Sequence, residues 1–194
     1  MRLRVPYAVV AATIACGREA PPAPPPTASA PVPSATASPA SSPATEVAGR
    51  VAEGAPAPAF QVRAHDGAEL ALAALRGRPV VLYFYPRDET PGCTKEACAF
   101  RDAWSELSKT NVVLVGVSTD TDASHRDFAK HHGLPFHLVS DPDGALAQTF
   151  GVPSRGGVLA RQTVVIGSDG VVKKIYRQVD VSRHASEILA DLRP

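Results

Sequence analysis

The stretch from residue 80 to residue 98 constrains the fold of this chain more than any other. Residues 80–85 form an apolar, β-branched and aromatic run, which is typical of a strand buried on both faces. Pro86 ends that run. A helix can begin a few residues later, because Thr90 is a suitable N-cap and Pro91 suits the first helical position. The sequence therefore predicts a strand, a short loop and a helix with Cys93 in its first turn.

A cysteine in the first turn of a helix is in a reactive setting. The unpaired N–H groups and the positive end of the helix dipole stabilise an anion there. The thiolate is the nucleophilic form of cysteine, so we expect Cys93 to react at neutral pH. A purely structural cysteine would be expected in an apolar segment rather than in the Pro-Gly-Cys-Thr-Lys context found here.

A second cysteine, Cys98, follows five residues later. On an ideal helix this spacing gives a rise of about 7.5 Å and a rotation of roughly 140°. The two Cα atoms would then lie about 8–9 Å apart, whereas a disulfide requires less than about 7 Å. If Cys93 and Cys98 pair, the start of the helix must first unwind.

The rest of the chain alternates between strand and helix patterns and closes with a hairpin and a helix, which predicts an α/β domain with a mixed sheet. Together with the strand, loop and cysteine-bearing helix, this resembles a thioredoxin-like fold, a central mixed β-sheet flanked by helices. Strands are predicted near residues 60–64, 80–85, 111–117, 136–139, 161–166 and 171–176, helices after Cys93 and over 124–132, 145–150 and 182–192, and a glycine-rich loop over 151–160.

Residues 1–16 are typical of a signal peptide, with two arginines before an apolar run over residues 5–15. That run is shorter than the roughly 20 residues that span a bilayer. The run ends in Thr-Ile-Ala-Cys-Gly, which resembles a bacterial lipobox with Cys16 as the lipidated residue, although Thr13 stands where leucine is usual. An ordinary signal peptide and a wrongly assigned start on a cytosolic protein are the alternatives.

Residues 17–50 are predicted to be a disordered tether. Nine of the nineteen prolines lie between positions 21 and 43, among alanine, serine and threonine, and such a segment buries too little apolar surface to fold. Residues 51–194 are long enough to form one domain with its own core. The expected location is the cell envelope, as a lipoprotein facing the periplasm, with a soluble periplasmic or secreted form as the alternative.

The segment from Pro86 to Cys93 matches the Pro-x-x-x-Thr-x-x-Cys signature of peroxiredoxins. The longer run Phe-Tyr-Pro…Thr-Pro-Gly-Cys-Thr-x-Glu-Ala is similar to the bacterioferritin comigratory protein, or peroxiredoxin Q, subfamily, whose atypical 2-Cys members often carry a second cysteine where Cys98 stands. The resemblance extends from about residue 54 to the C-terminus, through the segments 140–144, 150–152 and 161–166.

This resemblance implies a thiol-dependent peroxidase that acts on hydrogen peroxide and organic hydroperoxides. Cys93 would be the peroxidatic cysteine and Cys98 the resolving one. Thr90 would hold the peroxide with the Cys93 backbone N–H, Arg161 would stabilise the thiolate and the developing charge, and Pro86 would shield the pocket. Thioredoxin or a thioredoxin-like donor would reopen the disulfide. No cofactor and no metal are expected, and the family resemblance favours a monomer.

Three other functions are alternatives to the peroxidase. A Sco-like copper protein of the envelope needs two thiolates and a distal histidine, for which His137 is available, but its cysteines are separated by three residues and not four. A thiol–disulfide oxidoreductase would carry Cys-x-x-Cys, and a binding module on a lipid stalk leaves the reactive cysteine unexplained. The net charge of +1 gives no general attraction to nucleic acid.

Several other polar and aromatic side chains have a structural explanation. We expect Glu96 to be a carboxylate on the helix surface or facing the helix dipole, rather than a proton donor. His131 and His132 are predicted to be surface residues at a helix C-terminus, His137 to be structural and Trp104 to lie in the core.

Overall fold

The computed structural model describes residues 51–193. The predicted signal peptide, the predicted lipidation site Cys16 and the predicted tether over 17–50 lie outside these residues. In the part described, no helix is both long and apolar enough to cross a membrane.

Strands and helices alternate along the chain as predicted. The strands are β1 (Gln61–Arg63), β2 (Glu69–Ala71), β3 (Val80–Phe84), β4 (Val113–Ser118), β5 (His137–Ser140), β6 (Ser154–Arg155), β7 (Val158–Leu159), β8 (Gln162–Ile166) and β9 (Val172–Tyr176). The helices are α1 (Pro91–Asp102), α2 (Trp104–Leu107), α3 (Asp122–His132), α4 (Ala145–Thr149) and α5 (His184–Leu192), with 3-10 turns at Leu72–Leu75 and Ser108–Thr110.

The central sheet has five strands in the order β5-β4-β3-β8-β9. Strand β3 runs parallel to β4 and antiparallel to β8, while β4 and β5 are parallel and β8 and β9 antiparallel. This is the predicted mixed sheet, and β3 occupies its centre. The loop and helix that follow β3 therefore begin at the middle of the sheet.

Alternate side chains of β3 enter two separate cores. Leu82 and Phe84 pack on one face, and Tyr83 packs on the other with Ala97 and Phe100 of α1. All five residues of the strand are buried, as expected for a strand covered on both sides. Helix α1 thus lies on one face of the sheet, with its inner face held by apolar contacts.

Two local features differ from the sequence prediction. The predicted glycine-rich loop contains the small hairpin β6–β7, because Gly156 and Gly157 adopt positive φ angles of 58° and 73°, the pattern of a two-residue I′ turn. The predicted helix over 124–132 starts two residues earlier, since Thr121 is the N-cap and accepts a hydrogen bond from the Ser124 N–H at 3.3 Å.

Candidate active site

The loop after β3 presents Cys93 at the start of α1. Thr90 is the N-cap in an extended conformation, and Pro91 is the first helical residue. Cys93 lies in the first turn and is 2% exposed. The Thr90 hydroxyl donates to the Arg87 carbonyl at 3.0 Å rather than capping the helix, and Pro86 is half-buried at the start of the loop.

A buried carboxylate anchors this loop to α3. Asp88 accepts hydrogen bonds from the Tyr85 hydroxyl and the Ser124 hydroxyl, both at 2.7 Å, and lies 2.9 Å from His125 Nδ1. Burial alone would raise the pKa of Asp88, but these hydrogen bonds outweigh it and hold the pKa below its usual value. The local sequence does not indicate this network, because an aspartate in a polar loop is more often solvated.

Arg161, just before β8, faces the Cys93 sulfur. Its Nη2 donates to Cys93 Sγ at 3.1 Å, and its Nη1 donates to Glu96 Oε2. Strand β8 pairs with β3, so the residue before β8 lies beside the end of β3, where the cysteine loop begins. The fold thereby brings together two residues 68 positions apart.

The prediction that Glu96 lies on the helix surface is wrong. Its side chain is 1% exposed, because it lies three residues after Cys93 and therefore on the same inner face of α1. Burial raises the pKa of Glu96 to about 7, and the nearby Arg161 guanidinium offsets part of that rise. The sequence cue was available, since a carboxylate at this spacing from Cys93 must point inward whenever Cys93 does.

A buried histidine completes the polar end of the site. His184 Nε2 lies 3.8 Å from Glu96 Oε1 and 2.8 Å from the Thr163 hydroxyl oxygen. Burial, together with the positive charge of Arg161, lowers the pKa of His184 to about 4. His184 is therefore neutral at neutral pH and does not compete with Arg161 as a cation.

Three aromatic side chains, Tyr83, Tyr85 and Phe100, share a buried cluster with Cys93. Tyr83 stacks on Tyr85 with ring centroids 5.3 Å apart and packs on Phe100 at 5.1 Å. Gly116 of β4 makes room for the Tyr83 ring, because a Cβ at that position would lie 2.6 Å from the Tyr83 hydroxyl oxygen. These rings and Cys93 therefore belong to one buried apolar cluster.

Cys98 lies further along α1, half-buried, and neither it nor Cys93 is in a disulfide. Its Sγ is 4.0 Å from His132 Nδ1. His131 and His132 do end α3, as predicted, but His132 is not a plain surface residue, since only 16% of its side chain is exposed. Its contact with Cys98 was not foreseen, because the two residues lie on different helices.

The two remaining residues of the sequence analysis lie away from these contacts. His137 starts β5 and pairs with Asp66, with Nδ1 2.8 Å from Oδ2. Trp104 is partly buried and packs on Phe136 with ring centroids 6.0 Å apart. Within residues 51–193, neither side chain forms a hydrogen bond with a cysteine sulfur, whereas a copper site built on His137 would need such proximity.

Known proteins place the chain in a family. Residues 54–175 match the AhpC/TSA family, and chloroplastic peroxiredoxin Q of Oryza sativa subsp. japonica is 45% identical over 150 residues, covering 76% of this chain and 69% of the relative. The chain is a peroxiredoxin of the AhpC/TSA family. Among solved structures, peroxidoxin BcpB of Mycobacterium tuberculosis is 35% identical with a TM-score of 0.68, covering 74% of this peroxiredoxin and 97% of that chain.

A second solved structure also matches this chain in fold and sequence. The bacterioferritin comigratory protein of Xanthomonas campestris, described for its alkyl peroxide reduction activity, is 35% identical with a TM-score of 0.64 and covers 69% of this peroxiredoxin and 89% of that chain. These matches confirm the predicted thioredoxin-like fold, the subfamily and the class of activity, thiol-dependent peroxidase. They do not support the copper-binding alternative.

Proposed function

We propose that this peroxiredoxin reduces hydroperoxides through Cys93 as the peroxidatic cysteine. The observation that carries the proposal is the contact between Arg161 Nη2 and Cys93 Sγ at 3.1 Å, in the first turn of α1. A guanidinium and a helix N-terminus both favour the thiolate over the thiol. The same two features can stabilise negative charge that develops on a peroxide oxygen.

In the first step the Cys93 thiolate attacks the nearer peroxide oxygen and the O–O bond breaks. Cys93 becomes a sulfenic acid, and the second oxygen leaves with its electron pair and takes up a proton as water or alcohol. Thr90 and the backbone N–H of Cys93 hold the peroxide, and Arg161 stabilises the charge that spreads across the breaking bond. Pro86 shields the pocket from water.

Cys98 resolves the sulfenic acid in the second step. It forms a disulfide with Cys93 and releases water, before excess peroxide can oxidise the sulfenic acid further. Since the two residues lie five positions apart on α1, disulfide formation requires the N-terminal part of the helix to unwind. Because both cysteines belong to one chain, a monomer is sufficient for the cycle.

The disulfide is then reduced by thioredoxin or a thioredoxin-like donor. Hydrogen peroxide and organic hydroperoxides are both proposed substrates. The alkyl peroxide reduction activity named for the Xanthomonas campestris relative supports the organic substrates.

Replacing Cys98 with serine tests this division of roles. The variant should form one equivalent of sulfenic acid at the wild-type rate and then accumulate sulfinic acid, with turnover on thioredoxin reduced by roughly 10²-fold or more, since the resolving thiolate is missing. After rapid mixing with hydrogen peroxide, mass measurement detects the sulfenic acid as its dimedone adduct and, in samples without dimedone, the sulfinic acid. Wild-type turnover in this variant would remove Cys98 from the cycle.

The same proposal extends to location. Residues 1–16 would direct export, Cys16 would carry the lipid, and residues 17–50 would hold the domain away from the membrane of the cell envelope. Membrane fractionation of cells producing the full chain should recover it with the membrane, and a Cys16→Ala variant should be lost from that fraction. Recovery of both in the cytosol would contradict export.

A further inference from the structure

The resolving thiol lies beside a histidine that the peroxidatic site does not use. Cys98 Sγ lies 4.0 Å from His132 Nδ1, at the limit of a sulfur hydrogen bond. The other ring nitrogen, Nε2, lies 3.0 Å from Glu89 Oε2. Thiol, imidazole and carboxylate thus form a line of nucleophile, base and orienting group.

The contacts determine which nitrogen can accept a proton. Hydrogen bonds with His132, which contributes most, and with His131 hold the pKa of the Glu89 carboxyl below its usual value. This carboxylate is therefore ionised and can only accept hydrogen bonds. The tautomer of a neutral His132 ring that satisfies this carboxylate is the one that carries its proton on Nε2 and donates to Glu89 Oε2. Nδ1 is left with a free lone pair directed at Cys98 Sγ.

The ring is held in this orientation by its neighbours. Phe128 packs edge-on against it with centroids 5.0 Å apart, and the His131 ring lies at 4.4 Å on another side. Arg101 Nη1 donates to the His132 carbonyl at 2.8 Å, which fixes the end of α3 against α1. His132 is 16% exposed, whereas His131 is 70% exposed.

The loop geometry is also adapted to this contact. Glu89 has a φ of 56°, a left-handed conformation that is uncommon for residues other than glycine. It directly precedes the N-cap Thr90, and its carboxylate bonds both histidines. The peroxidatic loop and the environment of the resolving cysteine are therefore joined through one side chain.

We propose that His132 is the general base of the resolving step and that Glu89 positions it. This inference rests on the proposed roles of Cys93 and Cys98. His132 Nδ1 takes the proton of the Cys98 thiol while α1 is still folded. The helix then unwinds, the Cys98 thiolate attacks the sulfur of the Cys93 sulfenic acid, the S–S bond forms and the S–O bond breaks. The leaving hydroxide takes up a proton and departs as water.

Two basic side chains lie next to Cys98, one on each of two helices. His132 faces it from α3, and Arg101 lies beside it on α1, where its guanidinium also pairs with Asp102. Glu89 bonds the His132 nitrogen that is not the one near Cys98, and His131 bonds the other oxygen of the same carboxylate. His132 is the group placed to remove the proton, because an arginine remains protonated.

The test compares His132→Gln with His131→Gln in the full chain. Both histidines are bonded to Glu89, but of the two it is His132 that contacts Cys98 Sγ, so His131→Gln is the matched control. Rapid mixing with hydrogen peroxide, acid quench, thiol alkylation and mass measurement follow sulfenic acid and disulfide separately. At pH 7 His132→Gln should form sulfenic acid at the wild-type rate and the disulfide roughly 10²-fold more slowly, whereas His131→Gln, which removes only a neighbour of the His132 ring, should slow the disulfide step by no more than a few-fold.

The pH profile separates a base from a structural role. At pH 9 hydroxide in the solvent can remove the proton of a thiol without a protein base, so at this pH His132→Gln should recover to within a few-fold of the wild type. Glu89→Gln should show a smaller loss with the same recovery. Disulfide formation at the wild-type rate at pH 7, or an equal loss at all pH values, would overturn the role of His132. Absence of sulfenic acid in the wild type would instead overturn the proposed function.

Discussion

Replacing Cys93 with serine is expected to abolish peroxide consumption. The serine hydroxyl stays protonated at neutral pH, so the nucleophile is lost while the Arg161 and Thr90 contacts keep their places. Loss of a catalytic nucleophile costs on the order of 10⁴-fold or more in rate. The measurement is the initial rate of hydrogen peroxide loss with a dithiol reductant present.

The fold of this variant should survive, because serine is slightly smaller than cysteine and Cys93 is one buried residue in a large core. Thermal unfolding should therefore shift by only a few degrees, which corresponds to about 1 kcal/mol. Residual peroxide consumption above one tenth of the wild-type rate in a folded variant would mean that another residue reacts with the peroxide.

Replacing Arg161 with methionine is expected to slow the reaction of Cys93 with peroxide by about 10²–10³-fold, the usual cost of removing one donor from a charge-stabilising site. Methionine keeps much of the side-chain length but not the charge or the hydrogen bond to Sγ. The remaining Glu96 can take up a proton, because its pKa is already about 7, so no buried charge is left unpaired. The measurement is the second-order rate constant of sulfenic acid formation by stopped flow.

Glu96→Gln is the matched control, because it removes the carboxylate charge and keeps the guanidinium. Its rate of sulfenic acid formation should stay within about tenfold of the wild type, well above that of Arg161→Met. A wild-type rate in Arg161→Met, or equal losses in the two variants, would contradict a direct role of Arg161.

The Glu96→Gln variant also tests the ionisation of Glu96. A carboxyl whose pKa is raised from 4.5 to about 7 on folding stabilises the fold fully below pH 4.5, and this stability is lost as the pH rises through 7. The difference corresponds to roughly 3 kcal/mol. Denaturant titrations at pH 5 and pH 8 should show this decrease for the wild type and not for Glu96→Gln.

The parts of the fold that could be predicted were those with a local physical cause. The buried run of β3 identified the central strand, and the Thr-Pro-Gly-Cys start placed Cys93 in the first turn of α1. The hairpin β6–β7 was missed, because two glycines indicate a loop unless the strands beside them are also recognised. The interpretation of Glu96 failed for a different reason: its spacing from Cys93 places it on the inner face of α1, but a buried carboxylate needs a partner, and the local sequence does not show Arg161.

The sequence by itself determined the cysteine at a helix start, the spacing of Cys93 and Cys98 and the resemblance to peroxiredoxins, since each is a property of one continuous segment. Only the tertiary structure decided what surrounds the two sulfurs. Arg161 reaches Cys93 because β8 pairs with β3, and His132 reaches Cys98 because α3 ends beside α1. Contacts between segments depend on how sheet and helices pack, and no local pattern in the sequence specifies them.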